Sequence, residues 1–125
     1  MGVEGSEALV SRARANAERN RIENVTFAAA DLSRVDGGED WRRQPWDRLL
    51  LDPPRSGAGE VLSALGECLP RRIVYVSCNP ESLARDADLL VHHRGYDLSH
   101  AGIIDMFPHT AHCEAMAVFE RRAPQ

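Results

Sequence analysis

Two rhythms of apolar residues alternate along the chain: short aliphatic runs that stop abruptly, and longer stretches with apolar residues at helical spacing. The clearest run is Ile73-Val74-Tyr75-Val76, closed by Ser77-Cys78-Asn79-Pro80. Successive β-branched and aromatic residues predict a strand over 72–77, covered on both faces. Asn79 followed by Pro80 predicts an immediate helix, with a capping side chain and then a residue of preset φ. That helix turns Leu83, Ala84, Ala87, Leu90 and Val91 inward and ends near Gly95. Upstream, Gly2-Val3-Glu4 reads as the end of a strand. A helix follows over 6–19, with Ala8, Leu9, Ala13 and Ala17 at helical spacing, then a strand over 25–29. Residues 33–45 contain Asp36-Gly37-Gly38-Glu39-Asp40 and read as a loop or frayed turn. A strand over 47–51 ends in Asp52-Pro53-Pro54-Arg55, a rigid corner that stops any ladder. A short helix over 60–68 has Val61, Leu62, Leu65 and Cys68 or Leu69 inside. Two last strands, 96–104 and 115–120, are divided by Asp105-Met106-Phe107-Pro108-His109-Thr110. The order predicts an α/β fold with a mostly parallel sheet and an antiparallel hairpin at one edge.

Composition narrows the classes. A length of 125 residues suits one domain with a modest core, and 43% hydrophobic with 27% charged residues is ordinary for a soluble protein. No apolar run nears the roughly 18 residues of a membrane span, and the start does not read as a secretory signal. Cys68, Cys78 and Cys113 make no Cys-x-x-Cys pair, which argues against zinc or a disulfide scaffold and for a reducing cytoplasm. A net charge of −4 gives no nucleic-acid footprint, since a self-sufficient RNA binder is usually basic. The positive charges are all Arg, which genome composition explains more simply than function does.

Candidate chemistry gathers at strand ends. Cys78 falls at the carboxyl end of a strand and near a helix N-terminus, where open α/β sheets bind ligands and a partial positive charge favours a thiolate. A buried core cysteine is the plain alternative, and the Ser-Cys-Asn-Pro context favours a nucleophile. Glu4, Asp31 and Asp52 each stand just after a predicted strand. A carboxylate there can accept two hydrogen bonds from a ribose diol, or one from an adenine amino group. Together the three point to an adenosine-containing cofactor. Asp-Pro-Pro followed by an aromatic marks enzymes that methylate exocyclic amines; Arg55 offers no such stacking face. His109 and His112 with Cys113 or Glu114 make a poor zinc site, so no metal is expected. His92 and His93, at a helix end, read as solvated.

Three blocks, Asp52-Pro53-Pro54-Arg55, Ser77-Cys78-Asn79-Pro80 and the ten residues from Asp105 to Glu114, agree in order and spacing with one family. The chain resembles the carboxyl-terminal catalytic part of the RNA (uracil-5-)methyltransferases. The likeness reaches back through Val3-Glu4-Gly5 and Asn24-Val25-Thr26-Phe27. His109 and Glu114-Ala115-Met116 look more like the 23S ribosomal RNA branch than the transfer RNA branch. Cys113 departs from the larger apolar residue usual there, which is expected to change packing beside Glu114 without removing the chemistry.

The resemblance implies a Rossmann-like sheet that uses S-adenosylmethionine, and an RNA substrate, 23S rRNA, with no DNA and no membrane. It implies Cys78 as the nucleophile that adds to uracil C6 and Glu114 as the base that removes the C5 proton. It puts Asp52 between cofactor and target base, and Glu4 and Asp31 on the cofactor's ribose and adenine. Arg55 is implied at RNA phosphate or in a surface salt bridge, and the two histidines in a tight loop around the base. The same comparison implies upstream parts that precede Glu4: a glycine-rich loop after a first strand, an RNA-binding domain and, in some members, iron–sulfur cysteines. Residues 1–125 then form a partial catalytic domain lacking its first, central strand. The strands of Glu4 and Asp52 are expected to separate or to pair with each other wrongly. The isolated chain is expected to be marginally stable, prone to associate and nearly without turnover. Competing readings are a noncatalytic remnant of the same fold, a cysteine hydrolase pairing Cys78 with His109, and an amine methyltransferase that leaves Cys78 without a task.

Overall fold

A computed structural model describes residues 1–35, 40–66, 69–106, 109–110 and 113–123. Its framework is β4 (Arg72–Ser77), which is paired on both sides. Parallel β3 (Arg48–Leu51) lies on one side, with Leu49 opposite Ile73 and Leu51 opposite Tyr75. Antiparallel β6 (Glu114–Arg121) lies on the other, with Phe119 opposite Ile73, Ala117 opposite Tyr75 and Ala115 opposite Ser77. β5 (Tyr96–Ile104) closes the sheet as an edge strand, giving the order β3-β4-β6-β5. β3, β4 and β5 run in one direction and β6 alone opposes them, which is the mostly parallel sheet with an edge hairpin that the sequence predicts.

Side chains alternate across a strand, so the sheet has two distinct faces. Ile73, Tyr75, Phe119, Ala117 and Leu51 face the core with Leu62, Leu65 and Leu90. The helices α2 (Gly59–Ala64) and α3 (Pro80–Asp88), with a π-helical turn over Leu89–His93, cover this face. The other face carries Leu50, Val74, Val76, Met116 and Val118; Leu50 is 70% exposed and the others are half-buried. The expectation that β4 is covered on both faces is therefore corrected. Val74 and Val76 suit a pleated surface whether or not a layer covers it, so residue type alone did not reveal the open side.

A second, two-stranded sheet pairs β1 (Gly2–Glu4) with β2 (Phe27–Ala29) in parallel, with Val3 opposite Ala28. α1 (Glu7–Arg19) connects them, capped by Ser6, whose hydroxyl accepts from the Leu9 amide. Its inner face is Val10, Ala13 and Ala17; Ala8 and Leu9 are exposed, contrary to the sequence reading. Arg14 ties the helix to β2 by donating to the Phe27 carbonyl at 2.9 Å. β1 and β3 share no ladder, so the strands of Glu4 and Asp52 belong to separate sheets. Contact between the two units runs through Val3, Leu32 and Val35, which pack on the main core.

Chain ends of the elements follow local rules. Gly95, at φ 74°, takes the left-handed conformation that ends the helical run, and Tyr96 next to it is fully buried with its hydroxyl donating to the Pro70 carbonyl at 2.7 Å. Residues 33–45 include a 3-10 helix, Asp40–Arg43, in place of an unbroken loop. The α2 helix is shorter than its predicted span, and Cys68 lies outside the described residues.

Phe119 has no exposed surface and sits where β6 meets the helix layer. Phe119→Ala is expected to cost about 3–5 kcal/mol, through lost burial and the cavity left behind. Urea unfolding followed by far-ultraviolet circular dichroism checks this. Retention of the wild-type midpoint would contradict the packing described.

Candidate active site

Cys78 follows β4 directly and is half-buried. The turn around it is closed by its neighbours. The Ser77 hydroxyl accepts from the Asn79 amide at 3.0 Å and donates to the Asn79 carbonyl at 2.9 Å. The same carbonyl accepts from the Ser82 hydroxyl and the Leu83 amide. Asn79 Oδ1 accepts from the Glu81 amide at 3.3 Å and caps α3, with Pro80 in the first turn as predicted. Asn79 Nδ2 points elsewhere: it donates to the Arg55 carbonyl at 2.9 Å. One side chain thus starts the helix and grips the neighbouring loop.

That loop, residues 52–58, leaves β3 through Asp52-Pro53-Pro54-Arg55. The Gly57 amide donates to the Pro54 carbonyl at 2.9 Å, and Gly57 adopts φ +88°. A Cβ there would lie 2.5 Å from Arg85 Nη2 and 2.6 Å from Asp86 Oδ2, so only glycine fits. Arg85 Nη2 donates to the Ser56 carbonyl at 2.6 Å. Asp86 Oδ2 accepts from the Ala58 amide at 2.7 Å and from the Tyr75 hydroxyl at 2.6 Å. Burial, and then the hydrogen bond to Asp86, push the Tyr75 phenol well above its ordinary pKa, so it stays a donor. Asp52 and Arg55 remain exposed at the end of the sheet.

Glu114 opens β6 and is half-buried. The last ladder pair between β4 and β6 is Ser77 with Ala115. Continued by one residue, that register puts Cys78, just past β4, level with Glu114. Asp52 follows β3 at that end too, so the structure brings Cys78, Glu114 and Asp52 to the same end of the sheet.

The other acids belong to the smaller sheet. Glu4 ends β1 and pairs with Ala29; its Oε1 accepts from the Ser6 amide at 2.9 Å. Asp31 follows β2, and its Oδ1 accepts from the Ser33 hydroxyl at 2.6 Å and the Ser33 amide at 3.0 Å. A cavity of about 560 Å³ is lined by Asp31, Arg34, Val35 and Glu60. Glu4 and Asp52 are not among its lining residues. Arg34 and Glu60 were not singled out from the sequence. The available signal was position: Arg34 lies in the turn that Asp31 begins, and Glu60 in the first turn of the helix after the Pro-Pro corner. Asp86, Arg85 and Tyr75 were missed as well, because each looks like an ordinary helix or strand residue.

His109 is exposed at φ 67°, and Cys113 is half-buried. His112 lies outside the described residues. His92 and His93 are exposed, as expected at a helix end.

Residues 1–122 match the tRNA (uracil-5-)-methyltransferase family. The chain belongs to that family. Among its relatives, the 23S rRNA (uracil(1939)-C(5))-methyltransferase RlmD of Alkalilimnicola ehrlichii is 58% identical over 123 residues, which is 98% of this chain and 28% of the relative. RlmD of Xanthomonas axonopodis pv. citri is 58% identical over 122 residues, again 98% of this chain and 28% of the relative. The chain thus spans little more than a quarter of the length of these curated relatives. A solved structure, the Pyrococcus abyssi tRNA (uracil-54, C5)-methyltransferase in complex with S-adenosyl-L-homocysteine, superposes with a TM-score of 0.76 at 34% identity, covering 94% of this chain and 27% of that one. TrmN from Thermus thermophilus shares the fold at a TM-score of 0.67 and 21% identity, covering 96% of this chain and 35% of its own. The α/β reading and the family resemblance both stand, and no helix among the described residues is long and apolar enough to cross a membrane.

Within this family member, Asp31 offers a direct electrostatic test. The Ser33 hydroxyl, then the Ser33 amide, hold its carboxyl below the usual range, against an opposing desolvation and with a still smaller pull from Arg34. A depressed folded pKa gives stability that is present above the unfolded value of about 3.9 and is lost as pH falls through the folded value. Carboxyl-carbon NMR titration of Asp31 is expected to show a midpoint below about 3.9 that moves upward in Ser33→Ala. A midpoint unmoved by the substitution would refute the assignment.

Proposed function

We propose that this chain is the catalytic part of an S-adenosylmethionine-dependent enzyme that methylates uracil C5 in RNA, with 23S rRNA as the substrate. The observation that carries the reading is the β4–β6 register, which ends at Ser77 opposite Ala115 and, continued by one residue, puts Cys78 level with Glu114, the pair read here as nucleophile and base. The 58% identity to RlmD supports the ribosomal substrate over the transfer RNA one.

Uracil C5 is too weak a nucleophile to take a methyl group unaided. The Cys78 thiolate adds to C6, and the C5=C6 electron pair moves into an enolate that makes C5 carbanion-like. S-adenosylmethionine, when bound, supplies an electrophilic methyl on a sulfonium. That methyl would pass to C5 as its bond to the sulfonium breaks, releasing S-adenosylhomocysteine. Glu114 then removes the C5 proton, the C5=C6 bond re-forms, and the Cys78 thiolate leaves. The Cys78 thiolate is thereby regenerated, and Glu114, left protonated, returns to its carboxylate by passing the C5 proton to solvent.

The residues present fit the cofactor's polar end. Asp31 is held ionised, opens on a cavity and has Val35 as an apolar wall, which suits an adenosine. Glu4 keeps Oε2 outside its bond to the Ser6 amide, leaving an acceptor for a ribose hydroxyl. Asp52, at the same end of the sheet as Cys78, would lie between cofactor and base. Arg55 is exposed beside them and suits an RNA phosphate.

This catalytic domain works as part of a longer cytoplasmic protein, whose other segments supply the RNA grip that a chain of net charge −4 lacks. Taken alone, the 125 residues turn over little. The support for this is that β1 and β3 edge separate sheets, so Glu4 and Asp31 are not fixed relative to Cys78 by a common ladder. The same observation favours the second reading, a noncatalytic remnant of the fold.

The test is trapping with 5-fluorouridine-containing ribosomal RNA and S-adenosylmethionine, since fluorine at C5 cannot leave as a proton. It is run on the chain alone and on the chain set into the Alkalilimnicola relative in place of the matching segment. An RNA–protein adduct seen by mass and lost in Cys78→Ala is the expected result for the second form, with little or none from the first. No adduct from either would move the assignment to the remnant.

A further inference from the structure

Asp86 is the one charged side chain among the described residues that is buried to 1% exposure. It lies on α3, outside the motifs that carry the chemistry, and its oxygens are fully used. Oδ2 accepts from the Ala58 amide and the Tyr75 hydroxyl, and Oδ1 accepts from Arg85 Nη2 at 3.0 Å and Nε at 3.2 Å. Arg85 Nη2 also reaches the Ser56 carbonyl, while Asn79 Nδ2 holds the Arg55 carbonyl. Every one of these anchors on the 55–58 segment is a backbone atom. The side chains of Asp52, Arg55 and Ser56 are left exposed.

A buried carboxylate is a costly way to stabilise a fold, because an apolar residue of similar volume avoids its desolvation. Its use here is better matched to geometry. It ties together a strand residue (Tyr75), a helix residue (Arg85) and a loop amide (Ala58), which come from the strand before Cys78, the helix after it and the neighbouring loop. Gly57 completes the fit, since any Cβ would displace the Arg85 and Asp86 side chains.

We propose that Asp86, supported by Tyr75 and Arg85, is the positioning residue of the site: it clamps the backbone of residues 55–58 against the Asn79 turn, so that Asp52 and Arg55 are presented next to Cys78 in a single arrangement. The inference rests on the uracil-C5 reading for what the arrangement is used for, but the clamp itself does not depend on it.

Two variants test it. Asp86→Asn keeps the shape but cannot accept from all four donors, and Tyr75→Phe removes one donor while sparing the Ala58 bond. Hydrogen exchange on the 125-residue chain reads the clamp. Amides of Gly57 and Ala58 are expected to exchange at least about tenfold faster in Asp86→Asn, with β4 amides unchanged and Tyr75→Phe intermediate. Adduct formation on 5-fluorouridine RNA, in whichever form of the protein yields it, reads the consequence. The rate at saturating RNA is expected to fall about 10²-fold in Asp86→Asn, with the half-saturating RNA concentration nearly unchanged. Unaltered exchange at 57–58, or exchange rising equally in β4, would overturn the clamp by making Asp86 inert or merely a stability group. Loosened 57–58 amides with an undiminished adduct rate would overturn the positioning role. If the wild-type protein forms no adduct, the uracil reading fails, and the exchange contrast alone still decides whether Asp86 holds the loop.

Discussion

The double pairing of β4 is the constraint on which the rest depends. Because β3 runs parallel to it and β6 antiparallel, the carboxyl end of β3, the carboxyl end of β4 and the amino end of β6 lie at one end of the sheet. Asp52, Cys78 and Glu114 are far apart in sequence and reach the same end of the sheet only through these two registers, which, continued by one residue, put Cys78 level with Glu114 and Asp52 level with Val76. Side chains alternate with period two, so a slip of one residue would turn the buried set Ile73, Tyr75 and Ser77 outward and move Glu114 off the Cys78 position. Packing of Tyr75, Phe119 and Leu62, all without exposed surface, is what fixes the register. Core and site are therefore one problem.

Around that frame the polar network does a different task from the core. A hydrogen bond to a charged group is worth about 1.5–3 kcal/mol, yet much of that is offset by taking the Asp86 carboxylate out of water. The net gain in stability is small compared with burial of the aromatic residues. What the carboxylate supplies is direction: a loop with two prolines and a left-handed glycine has few ways to satisfy the Ala58 amide, and Asp86 provides one. Ser77 does the same for the Asn79 amide on the other side of Cys78. Cys78 sits between two segments whose backbones have each been given a single partner set.

The parts legible in the sequence were those decided by local rules. β4 falls where its run of β-branched and aromatic residues and the Asn-Pro stop put it, β5 begins just past Gly95, and the Asn79-Pro80 helix start needed only capping and a fixed φ. The helix faces were read less well. α3 buries Ser82, Asp86 and Leu90, with Leu83 and Ala87 half-buried, while Ala84, taken as inward, is exposed. A hydrophobicity count discards Ser82 and Asp86, although they recur with Leu90 at four-residue spacing on one face; a buried polar stripe is invisible until its partners on another element are known. α1 shows the milder form of the same error, with Val10 inside and Leu9 outside. For the candidate site, motif blocks singled out Cys78 and Glu114, whose strand-end positions the structure describes, but the split between the Asp31 cavity and the Asp52 end of the main sheet depends on how two sheets sit together, which no local pattern encodes.

That split carries a physical consequence for the proposed chemistry. The acids suited to an adenosine lie on a two-stranded sheet, and the groups suited to a uracil lie on a four-stranded one. Hydrogen-bonded ladders transmit position rigidly, whereas the contact between these units rests on apolar side chains such as Val3, Leu32 and Val35. Side-chain contact of that kind resists separation but restrains rotation and sliding weakly, because the hydrophobic effect has no direction. In-line methyl transfer demands alignment within fractions of an ångström. In the proposed reaction, a unit that ends two adjacent strands at Cys78 and Glu114, with the 55–58 loop bonded to Asp86, Arg85 and Asn79, addresses alignment on the side of the base to be methylated. Alignment on the donor side requires the edges of β1 and β3, whose backbone groups share no ladder with each other, to be held in one frame.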